Sequence, residues 1–569
     1  MPLPTSKMAP LLAPTDSLNR KIRKPPACNP CKARRVLCHP QPGGAPCPRC
    51  AEKEIKCTTT LPTRGKQLKS RVQTRQQHLT APSLVLHCQP NFESSDACPQ
   101  LTPEFVAHCF EGFVHDAFSL HPLIMATTIA SDLRNVSYQL ELLPQSTRIL
   151  AFCSIAYGSF CSFHESILGD GLRPQCFHDA AFFSSNPELL GCGVRRIKAC
   201  HALRFQALKN AWMARIIISQ PSTENAAACY ILDALEQIDE TPTSNRPWAT
   251  AYLAHLRALI PVWRTPSCPP NPPWEGAAGF TFLMFDALSS ARVRKPVQIT
   301  HQDQLLLSGA APSLETLLCN LNQPQSNANI DIVLSTATTY MFHVTVLARE
   351  LVDEITGEVA RAKPLSAAVV LAFLDRLSTM HLLATLILDR LDLCIAQDLP
   401  TSVNESTALP GWCAVKAGFL VCFGFSSLTL TLYDELKYRD TYDQDWNLAT
   451  KTFFARAHEL ATFGAKKIAR GIRYLPKVHY APSKYELFRA WADFFVEQAD
   501  CERTAGRLPI CIGFAHDILT LTDELKLLGY SLPGASSPDT FAVIERLENY
   551  ANSSLSSLFL AETVHQEEI

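Results

Sequence analysis

The chain has 569 residues, 47% of them hydrophobic and 18% charged, with a formal net charge of −1. This length and apolar content exclude a wholly disordered polymer and are ample for about three or four domains. The near-zero charge hides a division, because residues 1–80 carry 16 Lys and Arg against 3 Asp and Glu, and the remainder carries 36 against 50. A basic head on an acidic body points to a polyanionic partner for the head alone.

Taken in order, residues 1–20 read as a loose leader. The opening stretch MPLPTSKMAPLLAPTDSLNRKIRK has no uninterrupted apolar run before a small-residue cleavage site, so no secretory signal is expected. Residues 21–60 hold a cysteine module. Residues 61–100 are polar and rich in Gln, Thr and Pro, with Arg64, Lys66, Lys69, Arg71 and Arg75, as in a linker able to touch phosphates. Leu61, Leu68, Val72 and Leu79 are too sparse there, with Pro62 and Gly65 between them, for a clear coiled coil. Dimerisation by another route stays open.

From residue 101 the pattern is helical. Thr102 is placed to cap a helix with Pro103 at its first position, followed by Val106, Phe110, Phe113 and Ala117 at helical spacing. Cys200, Leu203, Ala207, Ala211 and Ala214 predict a second helix. Ser222 caps a third, with Glu224 in its first turn and Ala228, Ile231, Leu232 and Leu235 on one face. Similar periodicity runs through 331–360, 365–394, 412–437, 449–474, 484–503 and 511–529. Strand signals are weak and no 20–50-residue period repeats, so an all-α body over 101–530 is expected, not a regular solenoid. The uncharged run Ala417–Tyr433 is 17 residues, short of the roughly 20 that span a bilayer. It reads as a core helix, with no membrane partner. The segment 531–569 ends in mixed apolar and acidic residues, Leu555 to Glu568, which suit either an activation segment or a final amphipathic helix.

Six of the 22 cysteines fall in one window, Cys28-x2-Cys31-x6-Cys38-x8-Cys47-x2-Cys50-x6-Cys57. The unit C-x2-C-x6-C occurs twice. A structural zinc takes four ligands in a tetrahedron, so two zincs need eight ligand positions, and six thiolates supply them only if two sulfurs bridge. The symmetry of the repeat makes Cys28 and Cys47 the bridges. One ion takes Cys28, Cys31, Cys38 and Cys47, and the other takes Cys28, Cys47, Cys50 and Cys57. The other sixteen cysteines, Cys88 to Cys511, read as small buried hydrophobes. A module this small cannot bury a core, so metal must supply its folding energy. Between Cys31 and Cys38 one short helix is expected to carry Lys32, Arg34 and Arg35. The matching stretch, Ala51 to Lys56, is electrically neutral.

Residues 28–57 resemble the fungal Zn2Cys6 binuclear-cluster transcription factors. The resemblance implies two Zn2+ per chain, double-stranded DNA as partner, nuclear localisation and action on RNA polymerase II transcription. It also implies a helix entering the major groove at CGG-like sites. By position, Arg34 and Arg35 are then the base-edge candidates, while Lys32 and Arg49 hold phosphates. The chain departs from the family in having Leu37 before the third cysteine and Lys32 after the second. Leu37 keeps alive a different class, a ligand-sensing or scaffold regulator whose cluster no longer reads DNA. The body resembles, more diffusely, the family's all-α regulatory region, through 102–124, 195–212 and 221–237. That implies regulation by co-regulators, the transcription machinery or a small-molecule effector. Lys21, Arg23 and Lys24 could serve nuclear import.

No enzyme is expected. H-E-x-x-H, G-x-S-x-G and G-x-G-x-x-G are all absent. Asp233, Glu236 and Glu240 fall at i, i+3 and i+7, and a solvated face is the expected reading.

Overall fold

The computed structural model describes residues 28–58, apart from 35, 37, 40 and 42–44. It also describes residues 98–567, apart from 178, 186–188, 215, 239–245, 264–276, 323–329, 399–408, 443–447, 476–481, 507–510, 533–534 and 536. The leader, nearly all of the linker, Arg35, Leu37 and Glu240 lie outside the described residues. The chain divides into two compact units, Met1–Ser94 and Ser95–Ile569. Every regular element among the described residues is helical: a cysteine-rich N-terminal cluster, then an all-helical body.

The first unit contains two one-turn helices, α1 (Asn29–Ala33) and α2 (Pro48–Glu52). The second opens with α3 (Pro103–His115), where the Thr102 hydroxyl accepts the Phe105 N–H and Pro103 occupies the first turn. Phe105, Val106, Cys109, Phe110 and Phe113 face the core. The helix stops before Ala117. Buried Asp116 leaves the helical conformation, and its carboxylate accepts the Phe118 N–H at 2.6 Å to start a 3-10 turn. A short acidic side chain that bonds the backbone ahead of it competes with helix continuation.

Next come α4 (Gln145–Gly158), α5 (Leu189–Ala214), α6 (Thr223–Glu236) and α7 (Pro247–Trp263). Ser222 caps α6 by accepting the Asn225 N–H. Central α4 packs on α3, α5 and α6. Its contact with α3 requires a glycine, because a Cβ on Gly158 would lie 2.0 Å from the Cys109 carbonyl oxygen.

The middle of the body contains α8 (Ala277–Val293), α9 (Ile330–Leu351), α10 (Ala367–Asp398), α11 (Leu409–Tyr442) and α12 (Leu448–Ile472). Here α11 is the hub, lying against α8, α9, α10 and α12. That surrounds the uncharged run with protein, and its 18-residue apolar window is 83% buried. Length and composition alone would also let Ile330–Arg361 and Ala367–Ala396 cross a membrane.

The chain closes with α13 (Pro482–Thr504), α14 (Ile512–Ser531) and α15 (Pro538–Glu567). α14 packs on α12, α13 and α15 and also reaches back to α5, so the core is continuous from Phe105 to Ala551. Ile544, Leu547 and Ala551 of α15 are buried in that core. Residue 530 is therefore not a boundary of the helical body.

Two expectations about the body need correction. Cys109, Cys153, Cys161, Cys192, Cys200, Cys229, Cys394 and Cys422 are buried, but Cys98, Cys176, Cys319, Cys501 and Cys511 are exposed. An apolar neighbourhood in sequence does not place a residue on the inner face of its helix. Asp233 is not on a solvated face either. It is buried and paired with Arg246 at 2.6 Å, and the same guanidinium reaches Asp286 of α8.

Candidate metal centre

Each half of the cysteine module is built the same way, offset by 19 residues. Cys28 and Cys47 adopt extended backbone (φ −64, ψ 155 and φ −63, ψ 150) directly before α1 and α2. Pro30 and Pro48 stand in the first turns, where a missing N–H costs nothing and the fixed φ suits a helix. The Cys28 carbonyl accepts from Lys32 and the Cys47 carbonyl from Ala51, each at 3.0 Å. The Cys31 carbonyl accepts from Val36, and the Cys50 carbonyl from Ile55. The repeat extends to sulfur: the Cys28 N–H points at Cys38 Sγ (3.4 Å) and the Cys47 N–H at Cys57 Sγ (3.5 Å). The Asn29 N–H donates to the Thr58 carbonyl, which ties the two ends of the module together.

This duplication gathers the thiols. Cys28, Cys31, Cys47 and Cys50 are 1–3% exposed, with Cys38 and Cys57 packed against them. All six are free thiols. Two groups of four form, Cys28–Cys31–Cys38–Cys47 and Cys28–Cys47–Cys50–Cys57, with the sulfurs of each group within 4.8 Å of one another. They share Cys28 and Cys47, the partition that the repeat suggests. Sulfurs held about 2.3 Å from a common centre at tetrahedral angles would be about 3.8 Å apart. The separations are 3.8 Å for Cys28–Cys47 and 3.7 Å for Cys28–Cys50, Cys31–Cys47 and Cys28–Cys38. The donor set is therefore spaced for tetrahedral, thiolate-binding metal, and the six closely spaced cysteines could hold it.

The electrostatics divide the thiols. The Cys50 backbone N–H leads the groups that pull the Cys47 thiol down to about 6. Burial, then hydrogen bonds with Cys28 and Cys47, push Cys31 up to about 12, and burial raises Cys50 as well. A metal bound here must displace protons from Cys31 and Cys50, so its affinity rises with pH.

The cations sit on the outside. Lys32 is exposed in the last turn of α1, Arg49 is exposed on α2, and exposed Arg34 is the residue that ends α1. The expected three-cation helix between Cys31 and Cys38 is thus displaced. The helix begins before Cys31, ends at Ala33 and carries Lys32 alone. The reason is the extended Cys28 with Pro30 behind it, which starts the turn early. The signal for this was present in Pro30 and Pro48, which stand in the first turns of α1 and α2. Nothing in the sequence marks Thr58, whose contribution is a backbone carbonyl.

No family model, curated protein or solved structure matches this chain. The character of the centre therefore rests on its own sulfur geometry.

Proposed function

We propose that this protein is a sequence-specific DNA-binding regulator of RNA polymerase II transcription, acting in the nucleus, with two Zn2+ held by Cys28, Cys31, Cys38, Cys47, Cys50 and Cys57. The observation that supports it best is the pair of sulfur groups sharing Cys28 and Cys47 at tetrahedral spacing, beneath an outward-facing Lys32 and Arg34. Zinc held by these six cysteines would cross-link two turns of chain that have no apolar core of their own. The protein residues do the recognition. Arg34 and Arg35 reach base edges, where a guanidinium can donate two hydrogen bonds to guanine O6 and N7. Lys32 and Arg49 hold phosphates and set the register. The excess of 16 basic over 3 acidic residues in 1–80 attracts the polyanion, while the acidic remainder of the chain does not.

The deciding experiment is selection of bound sequences from random duplex DNA by the purified chain at a stated salt concentration, with metal content measured on the same sample. Two zincs per chain and an enriched motif containing CGG-like triplets are expected. Two zincs with no enriched motif would overturn the DNA-reading role and leave a sensing or scaffold regulator. A different metal count would overturn the cluster itself.

A further inference from the structure

The body carries a second recognition feature, on α5. This 26-residue helix is held on its inner side by α4 and α14. It contains five Arg and Lys and no acidic residue, within a region of the chain where acids outnumber bases. Two of those cations, Arg196 and Arg204, are buried. Arg196 donates to the carbonyls of Ser159, Phe160 and Ser162 at the end of α4 and lies under the Tyr530 ring, so it is spent on the core. The outer side is different. Val194, Lys198, Phe205, Lys209, Trp212 and Met213 are all exposed, Met213 to 77%. At 100° per residue they fall on one stripe, about 28 Å long. Neither lysine has an acidic partner among the described residues.

We infer that this face of α5 is a docking site for an acidic amphipathic helix of a partner protein. Aromatic rings and methionine are the side chains that most often anchor such contacts, and methionine adapts to varied apolar surfaces. Trp212 is braced for that role, because its ring packs on the buried Trp248 of α7 at 4.7 Å. Lys198 and Lys209 lie about three turns, roughly 16 Å, apart along the stripe and select carboxylates on the incoming helix. DNA fits the face poorly, since a phosphate backbone would leave Phe205, Trp212 and Met213 uncovered. The inference is independent of what the cysteine module binds.

The test uses the full chain and a fluorescently labelled 20-residue amphipathic peptide with Leu and Phe on one face and Glu on the other. A second peptide carries Lys in place of Glu. The acidic peptide should bind saturably and at least tenfold more tightly than the basic one. Met213→Asp should weaken it at least tenfold without shifting the thermal melt, and Lys198→Glu with Lys209→Glu should reverse the preference. Equal binding of the two peptides, no saturation, or binding indifferent to all three substitutions would overturn the assignment. Self-association of the unliganded chain that Met213→Asp abolishes would give the face to a second copy and overturn it equally.

Discussion

At the residue scale, the proposed contacts of Arg34 and Lys32 separate by the kind of loss each substitution causes. Both are exposed, so neither should affect folding. Replacing Arg34 by Ala should cost about 1–3 kcal/mol on the selected site and relax the preference at one base position. Replacing Lys32 by Ala should weaken binding to all sequences alike and lower the salt slope by about 1. Titrations on cognate and scrambled duplexes at several salt concentrations distinguish the two. His121 offers a test inside the body. The Leu123 N–H donates to its Nδ1 and Nε2 faces the Tyr252 hydroxyl at 3.2 Å, so the ring is held neutral. Burial, then the nearby charge of Lys416, takes its pKa down from 6.5 to about 3. The unfolded chain binds a proton that the folded chain refuses, so His121 makes stability fall as pH drops from about 6.5 towards 3. Urea midpoints across that range should flatten in His121→Gln relative to the parent.

At the element scale, several helices were legible because their signals are local. The Thr102 hydroxyl, Pro103 and the apolar spacing that follows act within one turn, and α3 begins where they say. Ser222 does the same for α6. What stops α3 is also local, since the Asp116 carboxylate accepts the Phe118 N–H two residues on, but the apolar spacing that runs on to Ala117 hides it. Close approach between helices is equally invisible in a linear pattern. Gly158 looks like any late-helix glycine, yet a methyl group there would meet the Cys109 carbonyl of α3 at 2.0 Å. Gly158→Ala should therefore destabilise the body by about 1–3 kcal/mol as α3 and α4 are pushed apart. Denaturation by urea measures this, and a neutral result would mean that the helices are free to slide. The buried charges follow the same logic. Glu435 of α11 accepts from Arg439 one turn along the same helix and from Arg361, 74 residues away, and Arg439 also donates to the Ile355 carbonyl, 84 residues away.

At the scale of the whole molecule, the two compact units separate metal dependence from helix content. Among the described residues nearly all helix belongs to Ser95–Ile569, and the sulfur groups belong to the other unit. A strong chelator should unfold residues 28–57 and abolish the proposed DNA binding, while far-UV circular dichroism changes little. A large loss of ellipticity on chelation would show that the body also depends on metal. The charge division acts at this scale too, because screening by salt reaches exposed cations of the head and barely touches buried pairs such as Arg246 with Asp233 and Asp286.

The sequence by itself determined the features carried by neighbours along the chain: the doubled C-x2-C-x6-C spacing, the sharing of Cys28 and Cys47, the helix caps, the helical period and the basic head. The caps, the helical period and each C-x2-C-x6-C unit depend on residues a few turns apart, where covalent geometry leaves little choice, and the rest follow from repetition and composition along the chain. Tertiary structure alone decided which cysteines face water, which carboxylates Arg246 holds, and that α14 closes on α5 while leaving an apolar, basic stripe outside. Those outcomes depend on which distant surfaces bury one another, and burial is a property of the packed whole that no local pattern encodes.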